Sequence, residues 1–201
     1  ILRLVLEWRR KLLWGLMPGE HREAIRKTVR AVKSYLFRYE QEFGKGKDYF
    51  HLRGQDNVLR FLPLGTVAVR LHPADGLFEV LARIAAAGIC RNEVVLSVPP
   101  GVENRVTAFV FGTEGRRFLR DVQVVRQADP ALIQAIPQLA RIRYAAPDRV
   151  PSDVLAAAAA RGFYIARDPV LMEGRIELIH YLQNQAVCNM YHRYGNLGDR
   201  L

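Results

Sequence analysis

The residues that could do chemistry in this chain are few and scattered. Two cysteines, Cys90 and Cys188, lie far apart and share no redox or ligand-pair spacing. A nucleophilic thiolate needs a base or a cation beside it, and neither cysteine has one in obvious register. His51 and Asp56 fall within HLRGQDN, residues 51–57. A loop of that length constrains a base and its orienting carboxylate only loosely. The run Gly54-Gln55-Asp56-Asn57 fits a turn that needs positive φ and side-chain-to-backbone bonds. Gly112-Thr113-Glu114-Gly115 precedes a helical stretch, and glycines there could cradle a phosphate on backbone N–H groups. Glu114 would repel such an anion, and neither a P-loop nor a G-x-G-x-x-G is present, so the segment reads as a turn. His21, His51, His72, His180 and His192 have no ligand-like spacing with one another or with the cysteines, so no metal site is expected.

The least ordinary stretch is the end. Tyr191, His192, Arg193, Tyr194 and Asn196 combine aromatic area, donors and turn formers in a few positions. Tyr and Arg are favoured at interfaces, and a frayed terminus has little use for so many aromatics. These five residues are docking candidates.

Around these groups the chain reads as alternating strands and helices. Thr66 to Leu71 (TVAVRL) and Val94 to Val98 (VVLSV) are short apolar strands. Between them Leu77, Leu81, Ile84 and Ala85 recur at helical spacing, with Gly88 as a stop signal. Two such strands joined by a helix make a βαβ unit, the seed of a Rossmann-like sheet. Strands are expected again at Val122–Val125, Ile142–Ala145, Phe163–Ala166 and Gln185–Met190, with helices at Pro130–Ile136, after Pro151-Ser152-Asp153, and at Gly174–Tyr181. Tyr49 to Leu62 is strand-like and would lead the chain into the same sheet. The fold class expected is therefore α/β, with an open, mostly parallel sheet.

Ahead of the sheet lies a helical arm with its linker, residues 1–48. Its second helix carries Ile25, Val29, Val32, Leu36, Tyr39 and Phe43 in steps of four and three, with Arg22, Arg26, Lys27, Arg30 and Lys33 largely off that stripe. The stripe serves either docking or oligomerisation, with Leu36 and Tyr39 as contact candidates, or packing on the chain's own domain. Lys and Arg exceed Asp and Glu by ten. Residues 1–60 hold 14 basic and 7 acidic residues, so most of the excess sits in that first third. Such a balance could mark nucleic acid or an acidic surface as partner, but no nucleic-acid motif accompanies it, and a nucleic-acid partner is not expected. The apolar start is interrupted by Arg9, Arg10 and Lys11 and cannot span a bilayer. Two unpaired cysteines suit a reducing cytoplasm, with both as small core residues.

The stretch PLGTVAVRLHPADGLFEVLARIAAAGICRNEVVLSVPPG resembles the opening βαβ of the aldehyde dehydrogenase superfamily. FHLRGQDNVLRFLPLG and the ending HYLQNQAVCNMYHRYGNLGDR resemble the C-terminal region of bifunctional proline utilization A enzymes. Those enzymes join proline dehydrogenase to glutamate-semialdehyde dehydrogenase, and the parent would carry FAD and NAD. The resemblance covers residues 49–201. Departures from the family pattern decide what it implies. Asp75 stands where the family has an amide-bearing Asn, and as an anion it would oppose a developing oxyanion. Ser97 replaces the strand-end Lys that contacts the cofactor ribose. Tyr144-Ala145-Ala146-Pro147 corresponds to a glycine-bearing segment and would obstruct close backbone approach. No E-L-G-G segment and no G-Q-x-C cysteine are present. The resemblance implies a non-catalytic, aldehyde-dehydrogenase-like lid or scaffold domain, with no catalytic, cofactor or metal residues of its own. Its partners would be the catalytic domains of the same polypeptide, in a parent compatible with a homo-oligomer and with peripheral association with a membrane. An active dehydrogenase fragment and a basic nucleic-acid-binding module are the alternatives.

Overall fold

The computed structural model describes residues 6–8, 11 and 19–191. Helix α1 (Gly19–Arg38) is the longest element. It runs through a wide helical turn (Tyr39–Phe43) towards β1 (Lys47–Asp48) and β2 (Gln55–Pro63). The expected βαβ unit follows as β3 (Thr66–Arg70), α2 (Leu77–Ile89) and β4 (Glu93–Val98). Its strands pair in parallel from Thr66↔Glu93 to Arg70↔Ser97. Two short helices, α3 (Arg105–Phe111) and α4 (Thr113–Phe118), lead to β5 (Gln123–Arg126). Then come α5 (Asp129–Ala135), β6 (Arg141–Arg143), α6 (Ser152–Ala159), β7 (Ile165–Ala166) and α7 (Gly174–Glu177).

Strands β5, β4, β3, β6 and β7 form one sheet in that order, every pair parallel. From β3 the chain winds outward one way through β4 and β5, then returns to β6 and β7 on the other side. Both faces are covered. Val67 and Val69 of β3 belong to the larger core with Val80, Leu81 and Ile84 of α2. Ala68 points the other way, into a smaller core with Leu132, Ile142, Val154 and Ile165. Alternation along a strand that is apolar throughout accounts for both.

The sheet differs from the expectation in one respect. The segment at 49–62 and the last strand do not join it. β8 (Leu182–Met190) pairs antiparallel with β2 over nine positions, from Gln55↔Met190 to Pro63↔Leu182, and β1 extends this second sheet. Polar side chains at Gln183, Asn184 and Gln185 would be buried on both faces of a parallel sheet, whereas this antiparallel ribbon leaves them in water. Cys188 lies on the ribbon and is exposed, which corrects its expected place in the core; Cys90 is buried.

Helix α1 lies on its own domain. Ile25, Val29, Val32, Tyr35 and Phe43 enter the same core as the central strands. Leu36 and Tyr39, candidates for docking, are partly buried against that core. The heptad-like stripe therefore packs on the domain itself. At the far end Gly174 of α7 abuts the α1 backbone so closely that a Cβ there would sit 2.8 Å from the Ser34 carbonyl oxygen and 2.9 Å from Tyr35 Cα. Ion pairs flank the contact, with Arg38 on Glu173 at 2.9 Å and Arg175 on Glu42 at 2.6 Å. Residues 6–8 are helical, and the buried Trp8 ring stacks on Phe118 with centroids 5.3 Å apart. The GTEG turn is occupied by packing. Gly115 faces the Phe109 and Val110 carbonyls, and Glu114 accepts hydrogen bonds from Trp8 Nε1 (3.2 Å) and Lys11 Nζ (2.6 Å).

Candidate functional site

In an open α/β sheet, a ligand sits beyond the carboxyl ends of the strands where the winding reverses. Here that point lies between β3 and β6. The elements meeting there are the β3–α2 loop, the first turns of α2, the ends of β4 and β5, and the turn after β6. Their side chains form a closed set of ion pairs.

Arg83, on the second turn of α2, is fully buried. Its guanidinium donates to the carbonyls of Arg70 (2.9 Å) and Arg143 (3.0 Å), the last residues of β3 and β6. It therefore spans the switch point. It also donates to the Glu79 carbonyl at 2.9 Å and to the Asp75 carboxylate. Asp75 takes a second cation on its other oxygen, Arg149 at 2.7 Å, which also reaches Glu79 at 2.9 Å. The Asp75 side chain has no exposed surface. Asp75, expected to meet a developing oxyanion as an anion, is thus held between two guanidinium groups. Pro147 opens the short helical turn that carries Arg149 to Asp75.

One strand over, Arg70 is 3% exposed and donates to Ser97 Oγ (2.8 Å), the Gln127 carbonyl (2.8 Å) and Asp129 (2.6 Å). Gln127 Nε2 closes the ring on Ser97 Oγ at 2.9 Å. Ser97 therefore holds strand ends together. On the other side, Arg143 binds Glu177 at 3.1 Å with neither side chain exposed. Tyr181 donates to Glu177 at 2.9 Å, and Tyr35 of α1 donates to the Leu171 carbonyl. Burial opposes the charge on Arg143, but the Glu177 carboxylate beside it favours that charge, and its pKa lies above the usual arginine value. Burial pushes the Tyr35 and Tyr181 phenols up, with Glu177 adding to it, so both stay protonated donors.

The remaining chemistry candidates do not converge here. Burial raises the Cys90 thiol far above its ordinary pKa, and the group rests 3.9 Å from the Leu178 carbonyl. Cys90 is a core residue. His51 lies in a loop at φ 49°, with its backbone N–H on the Asp48 carboxylate at 3.0 Å. Among the described residues, no three His, Cys, Asp or Glu side chains are grouped to hold a metal, and no helix is long and apolar enough to cross a membrane.

The second sheet presents a different surface. Asp48 also accepts the Phe50 and Asn57 backbone N–H groups, at 3.0 and 3.2 Å, which fixes the loop that holds out Tyr49 and Phe50. Those rings are 62% and 67% exposed, and with Val58, Ala186, Val187 and Cys188 they line an apolar groove of about 510 Å³. Tyr191, the first tail candidate, is exposed beside them, its N–H on the Gly54 carbonyl at 2.9 Å. His192, Arg193, Tyr194 and Asn196 lie outside the described residues. This hairpin surface gave no separate signal in the sequence, because the partners β2 and β8 stand at opposite ends of the domain.

Solved structures share this fold. Proline utilization A from Corynebacterium freiburgense is 26% identical over 88% of this chain, with a TM-score of 0.57. The chain resembles an aldehyde-dehydrogenase-like region of proline utilization A. It spans 15% of the length of that protein. Proline utilization A from Bdellovibrio bacteriovorus inactivated by N-propargylglycine aligns over 83% of this chain and 19% of its own, at 16% identity and a TM-score of 0.59. The NADP-complexed glyceraldehyde-3-phosphate dehydrogenase GapN of Methanocaldococcus jannaschii aligns over 82% of this chain and 38% of its own, at 12% identity and a TM-score of 0.58. At those identities the last two establish the fold alone. No family model and no curated protein matches the sequence.

Proposed function

We propose that this chain is a non-catalytic scaffold or lid domain of a longer proline-oxidising enzyme. In this reading it keeps an aldehyde-dehydrogenase fold without the cofactor grip. The observation that carries the reading is the Arg83 guanidinium seated on the Arg70 and Arg143 carbonyls. It lies in the crevice that a dinucleotide would have to enter. Arg70, Asp75 and Arg149 tie the neighbouring loops over it. FAD and NAD would then belong to other domains of the parent. The domain's contribution would be surface. The rigid hairpin with Tyr49, Phe50 and the β8 edge would dock on a catalytic domain of the same polypeptide, continued by the tail from Tyr191 onward.

The test is made in the parent polypeptide with Tyr49→Ser and Phe50→Ser together. Both half-reactions, proline oxidation and semialdehyde oxidation, keep their separate rates. The overall conversion of proline to glutamate develops a lag, because the intermediate escapes to solvent. Unchanged coupled turnover in the double variant contradicts the reading.

A further inference from the structure

Helix α1 turns two unlike faces in opposite directions. Ile25, Thr28, Val29, Val32 and Tyr35 are buried in the domain, while Arg26, Lys27, Arg30 and Lys33 are all exposed. At 3.6 residues per turn, Arg22, Arg26, Arg30, Lys33 and Phe37 follow one another along a single ridge. Phe37, at its end, is 55% exposed. Arg26 is paired with Glu23. Lys27, Arg30 and Lys33 pair with no carboxylate among the described residues, whereas Arg38 on the same helix is held by Glu42 and Glu173.

This face works against the helix that bears it. Arg30 has Arg26, Lys27 and Lys33 as its neighbours three and four positions away, and like charges at that spacing repel. A surface in conflict with its own local stability marks a functional site more often than a packing site. We propose that the ridge is a docking strip for an acidic protein face presented by another domain of the same polypeptide. The same-polypeptide assignment rests on the scaffold reading above; the acidic chemistry does not. Carboxylates on one side of a facing helix would match the ridge's spacing of about 6 Å per four residues. Phe37 would be its apolar anchor, the pairing of arginine with an aromatic that dominates protein interfaces. A bilayer would need the apolar side of α1, and that side is buried in the domain.

Zero-length carbodiimide cross-linking of the full polypeptide, followed by peptide mapping, tests this. Lys27 or Lys33 is expected to link to an Asp or Glu outside residues 1–201, with yield falling at least fivefold in high salt. The triple variant K27Q/R30Q/K33Q is expected to melt at the same or a higher temperature, because the like-charge repulsion is removed, and to leave the interface open to proteolysis in the full polypeptide. Links confined to Glu23 overturn the proposal. So does a link to a separate protein, or protection of the two lysines from acetylation by an oligonucleotide or by phosphatidylserine vesicles and not by the intact polypeptide. Lag in the hairpin variant together with links confined to Glu23 would leave the scaffold reading standing and remove this one.

Discussion

Arg83 and Asp75 form an ion pair in which neither side chain has any exposed surface. The pair sits where the winding of the sheet reverses, beyond the ends of the central strands. A buried pair of this kind adds little net stability over an apolar filling, but breaking it is costly because a charge is left stranded.

Arg83→Met therefore destabilises the domain by about 3 kcal/mol, since Asp75 loses its fully buried cation, keeping Arg149 and the His72 N–H, and two strand-end carbonyls lose a donor. Arg149→Met costs about 1 kcal/mol, because Asp75 then retains Arg83. Urea unfolding of both variants checks the order. An Arg149 variant as damaged as the Arg83 variant would mean that the loop, not the helix, holds the crevice shut.

Gly174→Val loosens α1 from α7. The added side chain meets the Ser34 and Tyr35 backbone, and the expected loss is about 2 kcal/mol. Faster hydrogen exchange confined to the α1 amides and 171–177 is the signature. An unchanged exchange pattern would show that α1 does not depend on this contact.

The pH dependence follows from His180. Burial lowers its pKa, with Arg143 adding to the effect. An unfolded histidine takes up a proton near pH 6.5, whereas the folded one takes it up only at lower pH. The unfolded state thus binds more protons between those values, and stability is full above about pH 6.5 and declines below it. His180→Gln flattens the stability profile just below pH 6.5. A profile identical to that of the parent sequence in that window would assign the acid sensitivity elsewhere.

Thiol titration separates the two cysteines. Cys188 is exposed and Cys90 buried with its thiol pKa raised. The native chain should react quickly at one thiol, Cys188, and at Cys90 only on unfolding. Prompt native reaction at Cys90 would reopen a nucleophilic role.

Much of the fold was legible because parallel strands leave a strong signal. TVAVRL, VVLSV and the helix between them lie where spacing placed them, as do the shorter strands at β5, β6 and β7. The ribbon was not legible. Nothing local distinguishes β8 as a partner of β2, since its pairing is set by contacts across most of the chain. Within the crevice, Asp75, Ser97 and Pro147 stood out as departures, and each now has a structural partner or place there. Arg83 did not stand out, because an arginine in an alanine-rich helix reads as a solvated residue. Its burial depends on two strand-end carbonyls that only the folded sheet brings together.

The account stands or falls on whether the crevice admits a dinucleotide. Calorimetric titration of the 201-residue chain with NAD, at concentrations up to a few millimolar, measures this directly. The expected result is heat of dilution alone, in the parent chain and in Ser97→Lys alike. Saturable binding in the micromolar range would contradict it, and would mean that Arg83 swings out of the crevice instead of filling it.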